Sequence, residues 1–161
     1  MMKDIFKILE QDARTTPERI AAMTGLSPEQ VRNAMAKAEA ERAIVKYKTV
    51  VDWERLGEAQ VWALIEVRVT PQRDVGFDAV ARRIYRFPEA RTVYLVSGTY
   101  DLMVVVVGKT MQEVASFIAE KLAPIEGVQG TVTHFILKRY KEDGELLAQA
   151  EGAPTRLPLS L

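Results

Sequence analysis

The sequence predicts an α+β protein, with an N-terminal three-helix head of winged helix-turn-helix outline followed by a ferredoxin-like βαββαβ domain. Three observations carry that prediction. Residues 17–42, PERIAAMTGLSPEQVRNAMAKAEAER, read as two short helices folded over one tight turn. From residue 60 onward the apolar periodicity switches between strand and helix in the order strand, helix, strand, strand, helix, strand. Three of those strands are apolar on both parities, which is more than two helices on one face can cover.

The head begins with a helix over residues 4–13, where Ile5, Ile8 and Leu9 face one side. Thr16 can cap the second helix, and Pro17 takes its first position, where a missing N–H costs nothing. Ile20, Ala21 and Met23 supply its apolar face, and Gly25 provides the left-handed turn. Ser27-Pro28-Glu29-Gln30 opens the third helix as a capping box, with Val31, Ala34, Met35 and Ala38 turned inward. A small residue four before the glycine permits close approach, and Val31, six after it, locks the helices together. Any tight αα-hairpin can show these features, but they are also how a helix-turn-helix presents its second helix to DNA.

On that reading Ser27, Gln30, Arg32 and Asn33 stand near the N-terminus of the reading helix, and Lys37 is placed for phosphate. Arginine pairs bidentately with guanine, and Asn or Gln with adenine. The alternative is the solvated face of an amphipathic helix. Residues 45–51 alternate β-branched and aromatic positions, so a strand is expected to leave the head. Lys46 and Lys48 fall on its other face, either touching phosphate in a wing-like position or simply solvated.

The expected organisation is a head over residues 1–50, a linker over 51–60, a ligand-binding and oligomerisation domain over 61–143, and a tail over 144–161. Strands are expected at 61–69, 91–96, 102–107 and 132–140, with Ser97-Gly98-Thr99-Tyr100-Asp101 as a hairpin turn. Phe77, Val80, Ala81 and Ile84 mark one helix, and Met111, Val114, Ala115, Ile118 and Leu122 the other. A sheet apolar on both sides with helices on one side needs another protein layer. Sheet-to-sheet homodimerisation is therefore expected, giving two heads and a roughly palindromic double-stranded DNA target. In the tail, Pro154 and Pro158 forbid a continuous helix, so it is expected either to be disordered or to dock on a neighbouring subunit through Leu157, Leu159 and Leu161.

Bulk properties narrow the function. The 161 residues are 48% hydrophobic and 27% charged, with zero formal net charge. Residues 1–50 hold nine Lys/Arg against seven Asp/Glu, a small excess in the direction DNA requires. Cysteine is absent, which removes disulfides, thiolate metal sites and thiol chemistry. The first residues lack a signal-peptide core and the longest apolar run is too short for a bilayer, so the expected location is cytoplasmic, with no membrane partner. The lone histidine, His134, lies mid-strand without a serine or acidic motif, and there is no P-loop or GxGxxG. No catalytic residue, metal or cofactor is expected, and the chain reads as a non-enzyme.

The whole arrangement resembles the Lrp/AsnC (leucine-responsive, or feast/famine) family of transcriptional regulators. The matching segments are D-I-x-x-I-L at the start, TPERIAAMTGLSPEQV, the A-I-V-x-Y exit, GTYDLMVVV, and THFIL running on to Lys-Glu-Asp-Gly. In this order they span nearly the whole chain. One departure is Ala38-Glu39-Ala40-Glu41-Arg42-Ala43, where that family commonly has a glycine before the exit strand. The resemblance implies a DNA-binding head and an effector-binding, dimerising domain, with dimers that often assemble further and amino acids as usual effectors. It implies effector contact around Gly98, Thr99, Tyr100 and Asp101, where glycine admits a ligand to the backbone and Asp101 can meet an ammonium group. Thr133, and with it Thr131, offers hydroxyls near the same edge. Gly and Asp are also ordinary turn residues. Two alternatives share the layout: an enzyme like the sirohaem decarboxylases, acting on a tetrapyrrole, and an adaptor whose head binds protein instead of DNA.

Overall fold

The computed structural model describes residues 2–70 and 76–147. It divides into two compact units, Met1–Val51 and Asp52–Leu161.

The first unit is three helices: α1 (Met2–Gln11), α2 (Pro17–Thr24) and α3 (Pro28–Ala40). Their ends follow from side chains. Thr16 Oγ1 accepts from the Arg19 N–H at 3.3 Å, and Gly25 closes α2 at φ 72° with its N–H on the Ala21 carbonyl. The capping box on α3 is complete: Ser27 Oγ accepts from the Gln30 N–H at 3.2 Å, and Gln30 Oε1 from the Ser27 N–H at 2.9 Å. Ile5, Leu9, Ile20, Ala21, Val31 and Ala34 form the core. Met35 packs partly against it, whereas Met23 is 61% exposed and does not join the apolar face expected of it. Its neighbours Ile20 and Ala21 already fill the side of α2 that meets α3, and Met23 projects away from it.

At the end of α3, Arg42 takes φ 57°, and the reversal lets the Ile44 N–H reach the Ala38 carbonyl at 3.0 Å. The missing glycine therefore does not abolish the turn. The expected exit strand, in contrast, joins no ladder among the described residues. Residues 45–50 are without regular structure and Val45 is 75% exposed, because a single chain offers this segment no neighbouring strand. Among the described residues no hydrogen-bonded wing forms at Lys46 and Lys48. The Tyr47 hydroxyl donates to Glu39 Oε1 at 2.8 Å and ties the segment to α3. Partial burial and that carboxylate push the phenol up to about 12.

The second unit follows the expected order: β1 (Val61–Val69), α4 (Asp78–Ile84), β2 (Ala90–Leu95), β3 (Leu102–Gly108), α5 (Met111–Phe117) and β4 (Val128–Ile136). All pairings are antiparallel, in the order β2-β3-β1-β4. This is the split arrangement in which each helix connects two strands with a third between them. Beyond Phe117 the helix widens into a π turn over Ile118–Leu122. Ala63, Ile65, Val67, Leu102, Val104 and Val106 form the inner face and pack with Val80, Ile84, Val114, Phe117 and Leu122. Each fully buried aliphatic contributes about 1.5–3 kcal/mol relative to exposure.

Besides shifts of one or two residues at the ends of α1, β2 and β3, two larger differences from expectation occur in this chain. β4 runs from Val128 to Ile136 instead of 132–140, because its polar start is recruited by the ladder with β1, with a register shift at Arg68/Val69. Residues after the last long strand are not all tail: β5 (Lys141–Glu142) and β6 (Glu145–Leu146) form a small hairpin through Asp143 (φ 46°) and Gly144 (φ 88°). Pro154, Leu157, Pro158, Leu159 and Leu161 lie outside the described residues.

Candidate functional site

In the head, α3 is held on one side by Val31, Ala34 and Ala38, all buried, which leaves Arg32, Asn33 and Lys37 on the exposed side. The 3.6-residue period places them there. The five head residues are not equally free. Ser27 and Gln30 face each other in the capping box, which commits Gln30 Oε1 to the cap and leaves its amide nitrogen outside it. Arg32 Nη1 donates to Glu18 Oε1 at 2.8 Å, and Lys37 Nζ is 3.8 Å from Glu41 Oε1. Asn33 is exposed. Glu18 did not emerge from the sequence, since it lies on α2, fourteen positions before its partner. Its own backbone N–H chiefly, then the Thr16 hydroxyl and Arg32, hold its carboxyl below the usual range.

In the second unit the structure brings the β2–β3 turn to the end of β1. The Asp101 N–H donates to the Val67 carbonyl at 3.1 Å, and Asp101 Oδ2 accepts from the Val69 N–H at 2.8 Å. The Val96 N–H closes the turn on the Asp101 carbonyl at 2.9 Å. Asp101 is thus first a bracket for the β1 end. Its Oδ1 has no hydrogen bond among the described residues. Gly98, at φ 150°, Thr99 and Tyr100 form the loop itself. Across β1, Thr131 pairs with Val67, the residue opposite Leu102, while Thr133 pairs with Ile65 one step farther in. Of the two threonines, Thr131 is the one the ladder brings to the turn.

Two grooves lie elsewhere in this unit, and no residue of that turn lines either. One, of about 530 Å³, runs from Glu89 along β3 to α5, with Glu113, Phe117 and Lys121 in its wall. The other, about 490 Å³, lies among Arg83, Arg86, Phe87 and Ile125. Lys121 pairs with Glu89 and, mainly through that hydrogen bond, holds its carboxyl below the usual range.

The sheet face away from the helices is arranged in rows. Tyr94, Met103, Glu66 and Val132 make one; Thr92, Val105, Leu64 and His134 the next; Val107, Trp62 and Ile136 the third. Tyr94, Val132 and Ile136 are 56%, 49% and 36% exposed. The face is mostly apolar, as expected, but His134 Nε2 lies 3.0 Å from Glu66 Oε1. At one end the Arg139 guanidinium stacks 4.2 Å from the Trp62 ring centre, with that of Arg91 at 6.0 Å. Among the described residues, no helix is long and apolar enough to cross a membrane.

Comparison with known proteins agrees with this architecture. Residues 62–146 match the Lrp/AsnC ligand binding domain. The chain is 46% identical over 144 residues to the HTH-type transcriptional regulator YugG of Bacillus subtilis, covering 89% of this chain and 87% of that one. It is 32% identical to the HTH-type transcriptional regulator FL11 of Pyrococcus horikoshii, covering 89% and 92%. The fold is shared with a transcriptional regulator of Neisseria meningitidis solved as a complex with L-Met, with TM-score 0.69, 22% identity, and 88% and 90% coverage. A ligand-binding-domain match across the βαββαβ unit, and relatives aligned through the helical head as well, lead to one conclusion: the chain belongs to the Lrp/AsnC family.

Proposed function

We propose that the chain is a sequence-specific DNA-binding transcriptional regulator that acts as a homodimer. We propose further that an amino acid or related small metabolite modulates it, bound where effector domains meet. The observation that carries this reading is the exposed side of α3, with Arg32, Asn33 and Lys37, on a helix pinned from behind by Val31, Ala34 and Ala38. A rigid helix with one polar side is suited to a major groove. That the relatives at 46% and 32% identity are named HTH-type transcriptional regulators supports it.

The effector half rests on Asp101. One carboxylate oxygen is fixed on β1 while the other points to no partner among the described residues, which suits an ammonium group. The turn is open in one chain, so a second subunit is needed to enclose a ligand. The methionine complex of the Neisseria relative supports an amino acid as the class. Dimerisation is supported by the apolar rows around Leu64 and Val105.

A labelled fragment from upstream of the protein's own coding region would be titrated at two salt concentrations, with and without the twenty amino acids. Salt-sensitive binding that exceeds random DNA, shifted by the mixture, is the expected result. Absence of binding at low salt overturns the reading. A Soret band on titration with a tetrapyrrole would then favour the enzyme, and salt-insensitive behaviour without DNA binding the adaptor.

A further inference from the structure

We infer that Glu18 is a positioning residue for base recognition: anchored at the start of α2, it fixes the Arg32 guanidinium in the orientation from which α3 reads its target. The inference rests on the DNA-binding reading and extends it to a residue outside the recognition helix. Its basis is a chain of contacts. Thr16 caps α2 through its hydroxyl, which accepts from the Arg19 N–H, and Glu18 stands in the first turn that this cap fixes. The Glu18 carboxylate accepts from Arg32 Nη1 at 2.8 Å. The capped first turn of the supporting helix is thereby connected to the fifth residue of the reading helix.

The contact is not forced by burial. The two side chains are 55% and 63% exposed, and an exposed pair of this kind adds little to stability. Its consequence lies in orientation. Arginine has a long, freely rotating stem, and reading guanine needs its planar fork at one angle. Glu18 occupies Nη1 and leaves the guanidinium further donors on Nη2 and Nε. A side chain already held in place loses less freedom when it binds. Glu18 also puts a negative charge on the side that must approach phosphate, so it weakens indiscriminate binding. Both effects favour selectivity over raw affinity.

The test uses the full chain. Selection from a randomised duplex pool gives a preferred sequence, and its affinity is compared with that of a scrambled duplex for wild type, E18A, E18Q, R32A and E18A/R32A. Thermal unfolding of each variant establishes that it is folded. E18A is expected to bind scrambled DNA as well as wild type or more tightly, while its preferred-to-scrambled ratio falls by about five- to thirty-fold, part of what one bidentate base contact supplies. E18Q, which keeps an acceptor for Arg32, should fall between. The double variant should be no less selective than R32A, because both changes remove one contact. An unchanged ratio in E18A, or losses that multiply in the double variant, would overturn the inference. If selection enriches no sequence and binding does not respond to salt, the DNA-binding reading itself fails.

Discussion

Arg42 and Gly25 both reverse the chain at a helix end with positive φ, at 57° and 72°. For a residue with a Cβ this conformation costs about 1–2 kcal/mol, whereas glycine adopts it freely but loses more chain entropy on folding. The two positions therefore predict opposite signs. Nothing lies within 4 Å of a Cβ added at Gly25, so Gly25→Ala meets strain alone and should destabilise the head by roughly 1 kcal/mol. Arg42→Gly should stabilise it by about 0.5 kcal/mol, the strain relieved less the entropy lost. Urea unfolding of the two variants checks both, and a loss of stability in Arg42→Gly would show that its side chain contributes more than its backbone costs. The same scale separates roles on α3. Arg32→Ala should relax sequence preference, while Lys37→Ala should weaken binding on all DNA and lower the salt slope by about one. Equal losses on preferred and scrambled DNA for both variants would contradict that division.

At the scale of elements, legibility in the sequence followed how local the cause was. The caps of α2 and α3 were readable because Thr16, Gly25, Ser27 and Gln30 act within a turn of themselves. β1 and β3 were readable because Val61–Val69 and Leu102–Gly108 are apolar enough to need a sheet anywhere. The start of β4 is not legible because Val128, Gly130 and Thr131 are strand only through pairing with β1, which no local pattern encodes. Residues 45–50 show the converse, a strand pattern with no strand beside it among the described residues. Of the candidate site, the exposed side of α3 was legible from period alone. Glu18 was not, since its link to Arg32 crosses between helices, and neither was the bracket Asp101 makes across to Val69.

The groove beside α5 has its own prediction. Lys121 lowers the folded-state pKa of Glu89 below the ordinary 4.5, so the pair's contribution is complete above that value and is lost as pH falls through the folded one. Glu89→Gln should flatten the acid limb of stability below about pH 4.5, by less than about 1 kcal/mol for a partly exposed pair. Urea midpoints of both proteins across that range measure it. An identical acid limb would mean that Lys121 gives Glu89 no differential stabilisation.

For the whole molecule, the proposed homodimer is placed on the outer face of the sheet. Leu64 lies in its middle row between Val105 and His134, with Glu66 already engaged by His134. A second copy seated there would bury Leu64, Val105 and Met103 against their equivalents and desolvate whatever charge lies among them. Leu64→Glu puts an unpartnered carboxylate at that place. Leu64 is only half-buried in the single chain, so the fold should survive, with thermal unfolding at low concentration close to wild type. Self-association should weaken by at least about a hundredfold, equivalent to roughly 3 kcal/mol. DNA affinity should fall with it, by about 10² or more, because two heads no longer act at one site through a shared scaffold. Sedimentation across a concentration series measures the first effect and titration of a palindromic duplex the second. A Leu64→Glu protein that remains dimeric would place the interface elsewhere on the chain. One that becomes monomeric yet binds the duplex undiminished would mean that a single head suffices for recognition.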